Sequence, residues 1–123
     1  MHANPVGWFE IYVQDLRRAQ AFYEGVFHLK LEKLGGPDVE MLAFPGQSER
    51  YGAPGALVRM PGVNSGGNSV LVYFSCADCQ QEAERVIACG GRVHRPKVSI
   101  GEHGHIALVV DTEGNLIGLH SMQ

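Results

Sequence analysis

The sequence predicts an α+β fold: two β-α-β-β-β modules forming a curved, mixed or mainly antiparallel sheet, with helices outside and a cleft inside. Three observations predict it. Apolar residues alternate over short runs of strand length, two segments carry helical spacing behind an N-capping aspartate, and this order of elements occurs twice. Glycine agrees, since 16 of the 123 residues are glycine, about twice the usual share of roughly 7%. Pairs such as Gly35-Gly36, Gly66-Gly67 and Gly90-Gly91 punctuate a chain of many short strands.

Taken in order, Trp8 to Val13 alternates, with Phe9, Ile11 and Val13 on one side and Trp8, Glu10 and Tyr12 on the other, as a half-buried strand does. Asp15 then stands at an N-cap position before Leu16 to Phe27, where Leu16, Ala19, Gln20, Tyr23, Val26 and Phe27 recur at helical spacing. Three strands follow at Leu29 to Leu34, Val39 to Phe44 and Ala56 to Met60, separated by Gly, Pro and Ser clusters. The second module repeats the order. Val70 to Cys76 alternates, and Asp78 caps a helix reaching about Cys89 with a stripe of Cys79, Ala83, Val86 and Ile87. Gly90-Gly91 stops it. Strands run Arg92 to Ser99, His105 to Val110 and Leu116 to His120, the last two joined through Asp111-Thr112-Glu113-Gly114-Asn115. Setting Asp15 over Asp78 sets Gln20 over Ala83 and Tyr23 over Val86. The chain therefore reads as one domain over residues 1–123, with module one at about 6–61 and module two at about 69–121.

One helix per four strands covers only one face of each sheet. The purely apolar side of the first strand suits that covered face, which leaves Trp8, Glu10 and Tyr12 on the open one. In the second module Tyr73 and Ser75, with Leu116, Gly118 and His120, fall on the corresponding side. Open faces of mixed aromatic and polar character predict a small-molecule cleft.

Composition excludes other classes. The net charge is −3, 45% of residues are apolar and 19% charged, and basic residues cluster only at Arg92, Arg95 and Lys97, so no nucleic acid partner is expected. No apolar run approaches the roughly 20 residues that span a bilayer, so no membrane partner is expected either. Met1 to Pro5 lacks the form of a signal peptide, and three cysteines make no disulfide framework, which predicts a cytoplasmic protein.

Trp8 to Glu24 (Trp-Phe-Glu-Ile-Tyr-Val-Gln-Asp-Leu-Arg-Arg-Ala-Gln-Ala-Phe-Tyr-Glu) and Asp111 to Ser121 (Asp-Thr-Glu-Gly-Asn-Leu-Ile-Gly-Leu-His-Ser) resemble the vicinal oxygen chelate superfamily, the glyoxalase and bleomycin-resistance group. The resemblance covers nearly the whole chain. It implies a homodimer and a fold that hosts lyases, epimerases, dioxygenases, thiol transferases and drug-sequestering proteins. In metal-dependent members, four His, Glu or Gln side chains hold a divalent metal that polarises substrate oxygens. Carried over by position, they fall near Trp8, Arg59, Leu71 and Gly118, none of which ligates a metal, so neither metal nor other cofactor is expected. Two functions follow. One is a metal-independent lyase or isomerase, related to lactoylglutathione lyase and acting on a small oxygenated metabolite, with Glu10 or His120 in acid–base work. The other is a protein that binds and sequesters a small molecule. In both, Trp8, Tyr12, Arg59 and Tyr73 contact the ligand; an ion pair with Arg59 is the structural alternative for Glu10.

Three further motifs read as structural. Glu102-His103-Gly104-His105 places two histidines two apart, without an evident third ligand, and reads as a glycine-bearing loop edging the cleft. Cys76-Ala77-Asp78-Cys79 has redox spacing at a helix N-terminus, yet Val13 and Leu16 occupy the matching positions of module one, which favours structural thiols. Arg92, His94, Arg95 and Lys97, with Pro96, suit a solvated edge strand.

Overall fold

The computed structural model describes residues 4–35, 39–47 and 51–123. Its elements run β1 (Phe9–Tyr12), α1 (Leu16–Phe27), β2 (Glu32–Leu34), β3 (Glu40–Ala43), β4 (Gly55–Arg59), β5 (Tyr73–Ser75), α2 (Cys79–Ala88), β6 (Arg92–Ser99), a 3-10 turn (Gly101–His103), β7 (His105–Val110) and β8 (Leu116–Ser121). Two four-stranded sheets have the same order, β1-β4-β3-β2 and β5-β8-β7-β6. In each, the first strand pairs parallel with the last, and the other pairings are antiparallel. The predicted repeat of two β-α-β-β-β modules is thus the observed architecture. Part of the predicted Gly35-Gly36 turn lies outside the described residues.

Local chemistry sets the helix ends. The Asp15 carboxylate accepts the Arg18 N–H and that of Asp78 accepts the Gln80 N–H, so each helix starts where an orphan donor is satisfied. α1 buries Ala19, Phe22, Tyr23 and Val26, and α2 buries Cys79, Ala83 and Val86. Ile87, expected in the stripe of α2, is exposed instead, because the buried arc of that short helix ends at Val86. Phe74 of β5 packs against Phe9, Tyr23, Phe27 and Phe44 of the first module. One apolar core therefore serves both modules.

The Asp111-to-Asn115 turn clasps the modules together. Glu113, whose side chain is fully buried, accepts hydrogen bonds from the backbone N–H groups of Gln14 and Asp15 and from the Arg18 guanidinium, at 2.7–3.0 Å. Asn115 donates to the Tyr12 carbonyl, and Asp111 accepts from the Tyr23 hydroxyl at 2.7 Å. This turn is an inter-module lock as well as the hairpin connection the motif predicts.

Candidate functional site

Alternation along β1 buries Ile11 and Val13 beneath α1 and leaves Trp8, Glu10 and Tyr12 on the open face. Glu10 and Tyr12 pair in register with Ala56 and Val58 of β4. In module two the matching rungs are Tyr73 with Gly118 and Ser75 with His120.

The three side chains of β1 form a hydrogen-bonded row. The Trp8 indole donates to one Glu10 carboxylate oxygen at 3.2 Å and the Tyr12 hydroxyl to the other at 2.8 Å. That bond to Glu10 is the main reason the Tyr12 hydroxyl titrates above its ordinary value. Arg59 does not join the row. Its guanidinium donates to the Gln14 carbonyl at 3.2 Å and pairs with Glu40 at 3.4 Å, which β3–β4 register places directly opposite, so the alternative pairing with Glu10 is not formed.

Two cavities each take a strand face from one module and a wall from the other side of the molecule. The first, about 530 Å³, is lined by Glu10 and Tyr12 and by Asn64, Asn68, Ser69 and Leu116 of the second-module side. The second, about 430 Å³, is lined by Tyr73, Ser75 and His120 and by Asn4, Val6 and Ala53 of the first. Of the six residues predicted to act together, Glu10 and Tyr12 share one cavity and Tyr73 and His120 the other, while Trp8 and Arg59 line neither. The His120 Nε2 lies 2.7 Å from the His103 carbonyl, which can only accept, so that nitrogen carries a proton, and in the neutral ring Nδ1 is left as the acceptor.

The linker wall is the part sequence reasoning overlooked. Its usable signal is the unbroken polar run Asn64-Ser65-Gly66-Gly67-Asn68-Ser69. Ser65 donates to the Glu113 carbonyl, Gly66 to the Asn115 side chain, and Asn68 exchanges hydrogen bonds with the backbone of Leu116. These bonds pre-form the first cavity, and the Glu10 carboxylate is the charged group on its lining.

The positions where the resemblance places a metal do not fit one. The Trp8 indole nitrogen is a donor engaged with Glu10, Arg59 is a cation, Leu71 has no lone pair, and Gly118 lies beneath the Tyr73 ring. Among the described residues no group of three His, Cys, Asp or Glu side chains is placed to hold an ion. His103 belongs to the 3-10 turn and His105 to β7, so they do not share a strand face. Burial, reinforced by Glu82, pushes the Cys76 thiol up to about 12, which keeps it protonated and inert. β6 is an edge strand as predicted, and its Lys97 pairs with Asp78 at 2.8 Å.

The family profile described as Glyoxalase/Bleomycin resistance protein/Dioxygenase superfamily matches residues 6–119. The chain belongs to that superfamily. No curated protein matches this superfamily member. Among solved structures it is similar to glyoxalase I from Zea mays, with a TM-score of 0.74 and 24% identity over 96% of this chain and 46% of that one. It thus spans just under half the length of the maize protein. It is also similar to TnmS3, an antibiotic binding protein from Streptomyces sp. CB03234, with a TM-score of 0.68 and 25% identity over 98% of each chain. A glyoxalase-related enzyme from Fulvimarina pelagi shares the fold at 17% identity, with a TM-score of 0.69 over 97% of this chain and 88% of that one. No helix among the described residues is long and apolar enough to cross a membrane.

Proposed function

We propose that this superfamily member binds and holds a small molecule bearing a cationic or multiply hydrogen-bonding group, which sits against Glu10. The observation that carries this reading is the Trp8–Glu10–Tyr12 row. It keeps a carboxylate in place with both oxygens already accepting from fixed neighbours, beside a pre-formed cavity within the roughly 300–1,000 Å³ range of small-molecule sites. A held carboxylate with lone pairs to spare suits charge-assisted recognition. Metal-independent lyase or isomerase chemistry asks Glu10 or His120 to move a proton, and the two lie in different cavities rather than together at one reacting centre. The full-length similarity to an antibiotic binding protein supports the binding reading.

The same reading takes the protein as a cytoplasmic homodimer. Exposed Val70, Ile87 and Met122 supply apolar surface for a partner copy, and three free cysteines suit a reducing compartment. Sedimentation equilibrium checks the oligomeric state.

Trp8 is the sole tryptophan, so its fluorescence reports directly on its hydrogen-bonded neighbour Glu10. A planar cation such as 9-aminoacridine is expected to quench it saturably, with affinity falling about tenfold in Glu10→Gln and with rising salt. Equal affinity in wild type and Glu10→Gln rejects the reading.

A further inference from the structure

The linker wall of the first cavity is carried by module two. Ser65 donates to the Glu113 carbonyl at 2.7 Å, and the Asn68 side chain donates to the Leu116 carbonyl and accepts the Leu116 N–H, each at 3.1 Å. The opposite face, Glu10 and Tyr12, belongs to β1 of module one. Affinity for a molecule held between them therefore depends on what fixes the two sides relative to each other. Asn115, buried and on the cavity lining, touches both. Its Nδ2 donates to the Tyr12 carbonyl at 2.9 Å and to Asp111 Oδ2 at 3.3 Å, while its Oδ1 accepts the Gly66 N–H at 2.7 Å. Two acceptors on one side and a donor on the other suit a carboxamide and not a carboxylate of the same shape. Gly66 has φ +82°, and a Cβ there would lie 3.2 Å from the Gly114 carbonyl, so the linker runs close against the turn. A second tie runs alongside, from the Gln14 side chain just past β1 to the Val63 carbonyl at 3.1 Å.

We propose that Asn115 is a positioning residue that sets the spacing between the Glu10 face and the linker wall, by holding the Tyr12 carbonyl with one end of its amide and the Gly66 N–H with the other. Both polar atoms of that amide are engaged by protein, so it acts through the walls it joins. This rests on the binding function proposed above, and adds that affinity is set at the join between the modules as well as by Glu10. Gln14 supports the same spacing from the exposed side.

Binding of 9-aminoacridine to the full chain, read by Trp8 quenching at constant salt, tests it in Asn115→Asp and Asn115→Ala. At about pH 8 each variant is expected to bind about tenfold more weakly than wild type, because aspartate turns an oxygen toward the Tyr12 carbonyl and alanine reaches neither wall. At about pH 5.5 the two should part. The new carboxyl, buried beside Asp111 and a carbonyl, takes up a proton there and donates to Tyr12 as the amide does, so Asn115→Asp should return to within about threefold of wild type. Asn115→Ala has nothing to titrate and should keep its deficit. A general loss of stability would not follow that pattern. Without ligand, hydrogen exchange of the Gly66 amide should quicken about tenfold in Asn115→Ala. Gln14→Ala removes the second tie at an exposed position and should weaken binding about threefold with folding intact, so the spacing is tested even where an Asn115 variant unfolds. Binding that Glu10→Gln weakens but Asn115→Asp and Gln14→Ala leave unchanged overturns this proposal alone, as does an equal deficit of Asn115→Asp at both pH values. Unchanged affinity in Glu10→Gln rejects the binding function instead, and Gly66 exchange at the wild-type rate in Asn115→Ala then overturns the bracing role as well.

Discussion

Glu113 shows how one side chain links local chemistry to the whole fold. Burial alone would raise its pKa, but the Arg18 guanidinium and the N–H groups of Asp15 and Gln14 overcome that and hold the carboxyl down at about 2. A carboxyl depressed in the folded state stabilises the fold above its ordinary value near 4.5. That contribution disappears as pH falls through the interval down to about 2. Glu113→Gln removes the charge while keeping the shape, and leaves several donors poorly satisfied. It is expected to cost about 2–3 kcal/mol at pH 7, below the usual cost of breaking a fully buried pair because Arg18 is half exposed. Urea unfolding checks this, and the gap between variant and wild type should shrink on acidification toward pH 2. Asp111 works in the opposite sense. Burial raises its pKa against the pull of Tyr23 and the Asn115 N–H, so its contribution is greatest below the ordinary carboxylate range and declines as pH rises through the raised value. The turn motif was legible in the sequence, but these roles were not, because Gln14, Asp15 and Arg18 lie almost the whole chain away from Glu113. Local pattern carries no record of such partners.

Elements were legible in proportion to how far their ends are determined by neighbouring residues. α1 runs over the predicted Leu16 to Phe27 because its cap, Asp15, is adjacent in sequence. Strands are shorter than their alternation, mainly because they start later: Leu29 to Leu34 contracted to Glu32–Leu34 and Val70 to Cys76 to Tyr73–Ser75. Alternation describes which face a residue prefers, whereas a ladder also needs a partner strand alongside. Of the candidate site, the open face of β1 was legible by the same alternation. The division into two cavities was not, since it depends on how the modules sit against each other. Gly91 marks a junction of three elements. A Cβ there would come within 2.4 Å of the Val110 carbonyl, 2.7 Å of Phe22 and 2.9 Å of Val86. Gly91→Ala therefore forces α1, α2 and β7 apart and is expected to cost about 2–3 kcal/mol in denaturant unfolding. Gly7→Ala, with no atom within 4 Å of the added carbon, is the matched control and should change stability by less than about 0.5 kcal/mol.

At the scale of the molecule, an exact repeat of topology raises the question of whether either module can fold alone. Each has its own sheet and helix, which argues for independence. The core argues against it. The Phe74 ring of module two stacks on Phe27 at 4.6 Å and meets Tyr23, Phe44 and Phe9, all from module one, so separation would expose a cluster of aromatic rings on both sides of the cut. The clasp argues against it as well: a lone first module keeps Arg18 and the two N–H groups that Glu113 satisfies, and a lone second module keeps a buried-type carboxylate with no cation. At roughly 60 residues, a half-chain buries too little surface to absorb such losses. The intact chain should therefore unfold in one cooperative step, with Trp8 fluorescence and far-UV circular dichroism giving coincident transitions. Fragments 1–66 and 67–123 should each lack a cooperative transition when separate and regain circular dichroism when mixed. A sigmoidal unfolding curve from either fragment alone, or two separated transitions in the intact chain, would show instead that the repeat is two domains sharing a surface.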